Sequence, residues 1–485
     1  MSKKIYLSIF GFLFFWLVFG AIFCLGQTKI DLPSPGLTPD SPFYFLEIFF
    51  EKIGDFFTFG DLAKAKRYIK LANERIAEAK AVVDKGKPKA VDKALVRYQK
   101  QLEKALAKAE KVKAKGKSIA QITDLISQAT AKHLTVLEEV SEKVPKTAKL
   151  AILQAREASK TGQIKALEAL SKEKPKKAFN FNIKTIQNRL EKIKKETKEG
   201  DEKAIEMVLS DFIAFQGLLE KMGKENQSIL GSLVGEAMTD QIEALDKIEE
   251  DFKNLSPQMA ERVKIIRNNT INGQLEVLEG LAKINPEKAA EIYSVASEKR
   301  LEKVKQKAKS KNVKEIEKAL NEFEKYSAFG QEISEIAKEI GEDTSSVEKL
   351  VAKTTTHHLE VLNQIYNEVP EPAKKAIQKA MVVSEKGRQK AVKALKERGA
   401  LEDIPERVPL PSEVKEKVFE KKRIPEGEEA KKPKIEIPES EGVEKIEKPE
   451  IEIPEKPKPK EPKQKPEAEK PKIEKPEISP GPPIR

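Results

Sequence analysis

Residues 75–170 slide onto residues 300–395 without a gap. His133 and His358 differ by 225 positions, as do Pro145 and Pro370, and Gly116 and Gly341. In the same frame Ile76 meets Leu301, Leu95 meets Leu320, Tyr98 meets Phe323, Leu137 meets Leu362 and Ser159 meets Ser384. A chain that repeats itself at this length folds as modules, each burying its apolar face on a neighbour. An enzyme site seldom needs the same scaffold twice, so the repeat points to architecture before chemistry.

A middle copy follows the first at an offset of about 114. Leu190 stands for Ile76, Gly200 for Gly86, Leu209 for Leu95 and Phe212 for Tyr98. Further on, Gln274-Leu275-Glu276-Val277-Leu278 followed by Pro286 echoes His133-Leu134-Thr135-Val136-Leu137 followed by Pro145, at an offset of 141. On this echo Gln274 takes the place of His133, and the helix after Pro286 ends one unit and starts the next. Shared helices of that kind favour a continuous stack over separate beads.

Within each copy the pattern is helical. Tyr68, Ile69, Ala72, Ile76 and Ala79 recur at helical spacing over residues 62–85, and Gly86-Lys87-Pro88 breaks the run. Leu95, Tyr98, Leu102 and Leu106 mark a second helix, ended by Gly116. Ile119 to Val140 marks a third, and Pro145 opens a fourth. Short connections make these helices antiparallel neighbours. The fold class is all-α: tandem antiparallel hairpins in four-helix units, forming a bundle or short α-solenoid. The expected organisation is a signal-anchor or signal peptide over 1–27, a linker over 28–41, helical units over 42–175, 176–285 and 286–398, and a disordered Pro/Lys/Glu-rich tail over 399–485. In the tail, proline removes amide donors and isolated Ile residues cannot build a core. Extended at ~3.1 Å per residue, it could reach on the order of 250 Å as a spacer or docking strand.

The first unit opens on Thr38-Pro39-Asp40-Ser41-Pro42, where Ser41 can cap and Pro42 suits the first helical position. The helix that follows, to Phe57, carries Phe45, Leu46, Phe49, Phe50, Ile53, Phe56 and Phe57. It is expected to plug the first bundle as a core helix. The competing expectation is an interfacial helix lying on a membrane; the scarcity of Lys and Arg, with only Lys52 present, speaks against that.

Lys3 and Lys4 precede an apolar run from Ile5 to Leu25, long enough to span a bilayer as a helix. Cys24 and Gly26 also allow a cleavage before Gln27. Either way the bulk of the chain is expected outside the cytoplasm, membrane-anchored or secreted. Cys24 is the only cysteine, so no disulfide can form within the chain. The 91 Lys and Arg against 79 Asp and Glu leave a net charge of +12, spread as Lys among Glu over the helices. Long-range attraction needs a one-signed patch, so this surface is expected to be mostly solvated. Nucleic-acid binding would want clustered Arg and exposed aromatics and is not expected.

Candidates for chemistry are few. His133 and His358 occupy equivalent helical positions, with Glu138 and Glu360 nearby in sequence and His357 adjacent. A metal site needs three or four converging ligands, and no such spacing occurs. The pair is expected to serve packing or hydrogen bonding. Ser159 and Ser384 lack a nucleophile elbow, and no Gly-rich phosphate loop is present. No catalytic, cofactor-binding or metal residue is expected, nor a small-molecule substrate.

Pro39-Asp40-Ser41-Pro42-Phe43-Tyr44, then an apolar helix, then Leu71-Ala72-Asn73-Glu74-Arg75-Ile76-Ala77-Glu78-Ala79, resembles a bacterial envelope domain family with no assigned function. The resemblance covers roughly residues 38–115 and, through the repeats, weakly 180–395. It implies an exported, envelope-associated helical protein and no site residues. The expected function is a non-enzymatic scaffold or interaction module for an unknown protein partner. The alternative is a binder of anionic envelope polymer through the Lys-rich helical surface.

Overall fold

The computed structural model describes residues 32–419, apart from 254, 342, 402 and 403. The expected anchor and most of the expected tail lie outside these residues. Within them the fold is all-α, with fourteen α-helices and no strand. The helices are α1 (Tyr44–Phe57), α2 (Asp61–Asp84), α3 (Val91–Ala114), α4 (Ala120–Glu142), α5 (Lys146–Glu173), α6 (Pro175–Glu199) and α7 (Glu202–Glu225). They continue as α8 (Gln227–Lys253), α9 (Pro257–Ala282), α10 (Pro286–Lys309), α11 (Val313–Glu339), α12 (Ser345–Glu368), α13 (Glu371–Glu397) and α14 (Ser412–Phe419).

Helices α2–α5, α6–α9 and α10–α13 pack in the same pattern three times. In each set the first helix pairs with the second, the third with the fourth, the first with the third and the second with the fourth. Gly116 and Gly341, at φ +70° and +75°, end the second helix of the outer sets. That backbone puts a Cβ against the following carbonyl, so glycine is the residue that stops a helix there. Pro175, Pro257 and Pro286 each open a helix where their missing N–H has no intrahelical partner.

The apolar cores do not stop at the unit boundaries. Leu134 of α4 and Leu167 and Leu170 of α5 pack into the core of α6–α9. Ile242 of α8 and Ile271 and Leu278 of α9 pack into the core of α10–α13. The units therefore share buried surface as a continuous stack.

Three expectations change. The 141 offset pairs α9 with α4, but α9 forms a hairpin with α8 just as α5 does with α4. The matching offset for the second half of the middle unit is 111, so Gln274 corresponds to Gln163 and not to His133. A five-residue apolar string recurs on any amphipathic helix; helix pairing decides which copy it is. Helix α10 begins the third unit, and its other face still joins α8 and α9. Second, residues after 399 are not free of the body. Arg388 donates through Nη1 to the Pro405 carbonyl at 2.9 Å, and Val414 and Val418 of α14 are buried on the last core. Third, Ser41 does not cap α1. Its Oγ accepts from the Phe43 amide at 3.2 Å, which makes a tight turn, and the helix begins at Tyr44.

Candidate interaction surface

Helix α1 is inverted relative to the expected plug. Tyr44 is its only buried residue. Phe43, Phe45, Phe49, Phe50, Phe56, Phe57 and Phe59 are 56–79 % exposed, and none of them enters the first core. The backbone of α1 approaches no neighbour as closely as the unit helices approach one another.

Long polar side chains hold α1 instead. The Tyr44 hydroxyl donates to Glu78 Oε2 at 2.7 Å and accepts from Arg75 Nη1 at 2.6 Å. Arg75 Nη1 also lies 2.8 Å from Glu78 Oε1, and Arg75 pairs with Glu51 of α1. Arg67 Nε pairs with Asp55 at 2.8 Å, and Arg67 Nη2 donates to the Glu51 carbonyl at 2.9 Å. Upstream, Asp40 accepts from Lys87 at 3.0 Å and Lys85 donates to Thr38 at 2.8 Å, which ties the Pro-Asp-Ser-Pro segment to the α2–α3 turn. Two carboxylates share one buried guanidinium here. Burial pushes Glu78 up to about 8 and also raises Glu51.

The reason for this inversion lies in the repeat. Arg75, Arg189 and Arg300 stand at the same position of α2, α6 and α10, separated by 114 and 111 residues. At the first junction Arg189 meets Glu138 of α4 and Asp211 of α7, the latter at 3.5 Å, while Arg156 of α5 lies 2.9 Å from Asp211 and 3.2 Å from Glu138. Arg189, Glu138 and Arg156 recur 111 positions later as Arg300, Glu249 and Arg267, and Asp211 recurs as the acid Glu322. Arg267 meets Glu249 and Glu322, and Arg300 lies 2.7 Å from Asp246 and 3.5 Å from Glu322; Lys303 lies 2.6 Å from Asp246. Burial opposes the ionisation of Asp246 and Glu322, but the cations around them win and hold both below the ordinary carboxylate range. The stacking face of a unit is thus a buried ion cluster within an apolar rim. At the start of the stack Glu51 of α1 supplies the acid that a preceding unit supplies elsewhere. Satisfying Arg75 turns the polar face of α1 inward and its aromatic face outward. At the other end Met381 stands where Arg156 and Arg267 stand, and it is buried with Val414 and Val418.

The residues weighed for chemistry do not converge. His133 is buried on α4, its Nε2 2.7 Å from Asn73 Oδ1 and its Nδ1 3.1 Å from the Tyr98 hydroxyl, which in turn lies 2.6 Å from Ser159 Oγ. His358 is buried on α12 in an edge contact with Phe323, and neither ring nitrogen has a partner among the described residues. Burial pushes both imidazoles down to about 3. His357 is exposed beside Glu360. Ser384 Oγ lies 2.8 Å from Ser327 Oγ. Glu138 belongs to the first ion cluster. Glu47, Glu51 and Glu74 approach one another beneath α1, but Arg75 already engages Glu51. Sequence reasoning missed the junction clusters. Their signal is the spacing of arginines in a chain whose basic residues are mostly lysine.

A family described as a domain of unknown function (DUF5667) matches residues 36–147, which hold α1 to α4. No match is found among curated proteins. Among solved structures, a circular tandem repeat protein with novel repeat topology and enhanced subunit contact surfaces is 14% identical. That match covers 74% of this chain and 77% of the other, at a TM-score of 0.48. A structure from the computational design of self-assembling cyclic protein homooligomers is 11% identical at a TM-score of 0.20, covering 69% of this chain and 98% of that one. No helix among the described residues is long and apolar enough to cross a membrane.

Proposed function

We propose that this chain is a non-enzymatic helical-repeat scaffold, envelope-exposed and held at a membrane through residues 5–25, that offers its surface to protein partners. The observation that carries the reading is the repeated ion cluster. A buried cluster built on the same four positions recurs at both junctions, with Asp246 added at the second, so the buried charge of this protein goes into fixing units in register. Buried pairs of this kind hold one arrangement against alternatives, which is what a scaffold needs.

Surface charge supports protein partners over an anionic polymer. Lysines face carboxylates of neighbouring helices, as in Lys221–Glu168 at 2.8 Å, Lys299–Asp240 at 3.2 Å and Lys390–Glu335 at 2.7 Å. These pairs intersperse the two signs between neighbouring helices, which works against a one-signed patch along those faces. Mass spectrometry of the mature N-terminus from a membrane fraction, with protease added to intact cells, tests the placement. Digestion of residues 32–419 only from outside is the expected result; recovery of the chain in the cytosol overturns it. Partner capture that survives a rise in salt separates the scaffold from a polyanion binder.

A further inference from the structure

We infer that the aromatic face of α1 lies in the interfacial zone of a lipid bilayer and sets how the first unit meets the membrane. The inference rests on the reading that residues 5–25 sit in that bilayer. Positions 45, 49 and 56, and 46, 50, 53 and 57, form two adjacent rows along α1, a single stripe ~18 Å long at 1.5 Å per residue. The exposed phenylalanines make it apolar over several hundred Å², about as much as the largest patch of an ordinary monomer. Lys52 is the only exposed charged residue on α1: Glu51 and Asp55 are turned to Arg75 and Arg67, and Glu47 lies half-buried with its carboxylate beside Gly36. A lysine within such a stripe can reach the headgroups with its ammonium while its stem stays among the acyl chains. No acid on this face repels an anionic headgroup.

Chain length names the occupant. Leu32 packs against the first core, so only residues 26–31 separate the first unit from Leu25, the end of the apolar run. Seven steps of extended chain span at most about 25 Å. A unit tethered that closely to a spanning run holds α1 near the bilayer surface whatever partners are present. A second copy is the weaker occupant. One helix face against its twin buries about 1,200 Å² at most, the low edge of a stable interface, and requires a concentration the tether does not supply.

The test uses the full chain in vesicles of phosphatidylcholine with a minority of phosphatidylglycerol. Trp16, the only tryptophan, lies in the apolar run and reports on it. In a Trp16→Phe background, Phe49→Trp and Phe56→Trp are made separately; both positions are exposed, so the fold tolerates an indole. The expected result is emission at shorter wavelength, quenched more by lipids brominated high on the acyl chain than by those brominated deep. Water-like, unquenched emission from both variants, with Trp16 quenched by deep bromines in the parent, overturns the inference and leaves the anchoring intact. A wavelength shift that needs no lipid and grows with protein concentration also overturns it, in favour of a second copy. An unquenched Trp16 overturns the anchoring and this inference with it.

Discussion

His133 and His358 are the same residue of the same repeat, yet their surroundings make opposite predictions. His133 bonds Asn73 and Tyr98, so His133→Leu removes two hydrogen bonds, leaving the Tyr98 hydroxyl with Ser159 alone and half-buried Asn73 without its ring partner, and is expected to cost ~1–3 kcal/mol in urea unfolding at pH 7.5. At the third copy Tyr98 has become Phe323 and Asn73 has become Glu298, which is exposed. His358→Leu therefore removes two unmet polar atoms and is expected to be neutral or stabilising in the same assay. The pH sign follows from burial. Both imidazoles stay neutral in the fold down to about 3 but protonate near 6.5 once unfolded. Their contribution is whole above pH 6.5 and is lost as pH falls toward 3. Unfolding midpoints between pH 7.5 and 5 should fall less for His358→Leu than for the parent; equal slopes would show that this histidine does not titrate on unfolding.

At the scale of the element, α1 is held by polar groups and not by a core. Tyr44→Phe deletes the hydroxyl between Arg75 and Glu78 and is expected to weaken the docking of α1 by ~1–3 kcal/mol. Amide exchange of residues 44–57 should quicken while α2–α13 keep their protection; unchanged exchange would mean that some other contact secures the helix. Glu78 gives this contact an unusual pH sign. Its folded pKa lies near 8, above its unfolded value, so its contribution is present at acid pH and lost as pH rises through 8. Exchange of α1 should accelerate from pH 6 to 9 beyond the intrinsic rate, and Glu78→Gln should remove that excess. The apolar stripe of α1 was legible in the sequence, but its direction was not. Periodicity says that a helix has an apolar face; it does not say whether burying that face is worth more than satisfying Arg75 and Arg67 beneath it.

Across the whole molecule the two junctions behave as one design used twice. Arg267→Met copies the residue that ends the stack at 381, but at a junction it leaves Glu249, Glu322 and Asp246 without their central cation. Removing one partner of a buried cluster costs ~3–5 kcal/mol, and the expected readout is a single unfolding transition split in two. The junction also has the opposite pH sign to α1. The folded pKa values of Asp246 and Glu322 are depressed, so their contribution holds above the ordinary carboxylate range and fades as pH falls through it. Limited proteolysis of the parent should release no stable single unit, since Leu167 and Leu170 at one boundary and Leu278 at the other are buried by the neighbouring set. Clean recovery of three folded fragments would contradict the shared core.

Helix content, helix ends and the count of copies follow from the sequence, because an apolar residue every third or fourth position and a glycine or proline at each break act over a few residues. The 225 offset carried the outer units for the same reason. The middle unit was misread at Gln274 because a short apolar string fits several helices, and only the hairpin of α8 with α9 selects among them. The junction clusters join residues from four helices, and the outward face of α1 follows from what those clusters demand at the start of the stack. Both are balances between groups far apart in the chain, and no local pattern fixes which side of such a balance wins.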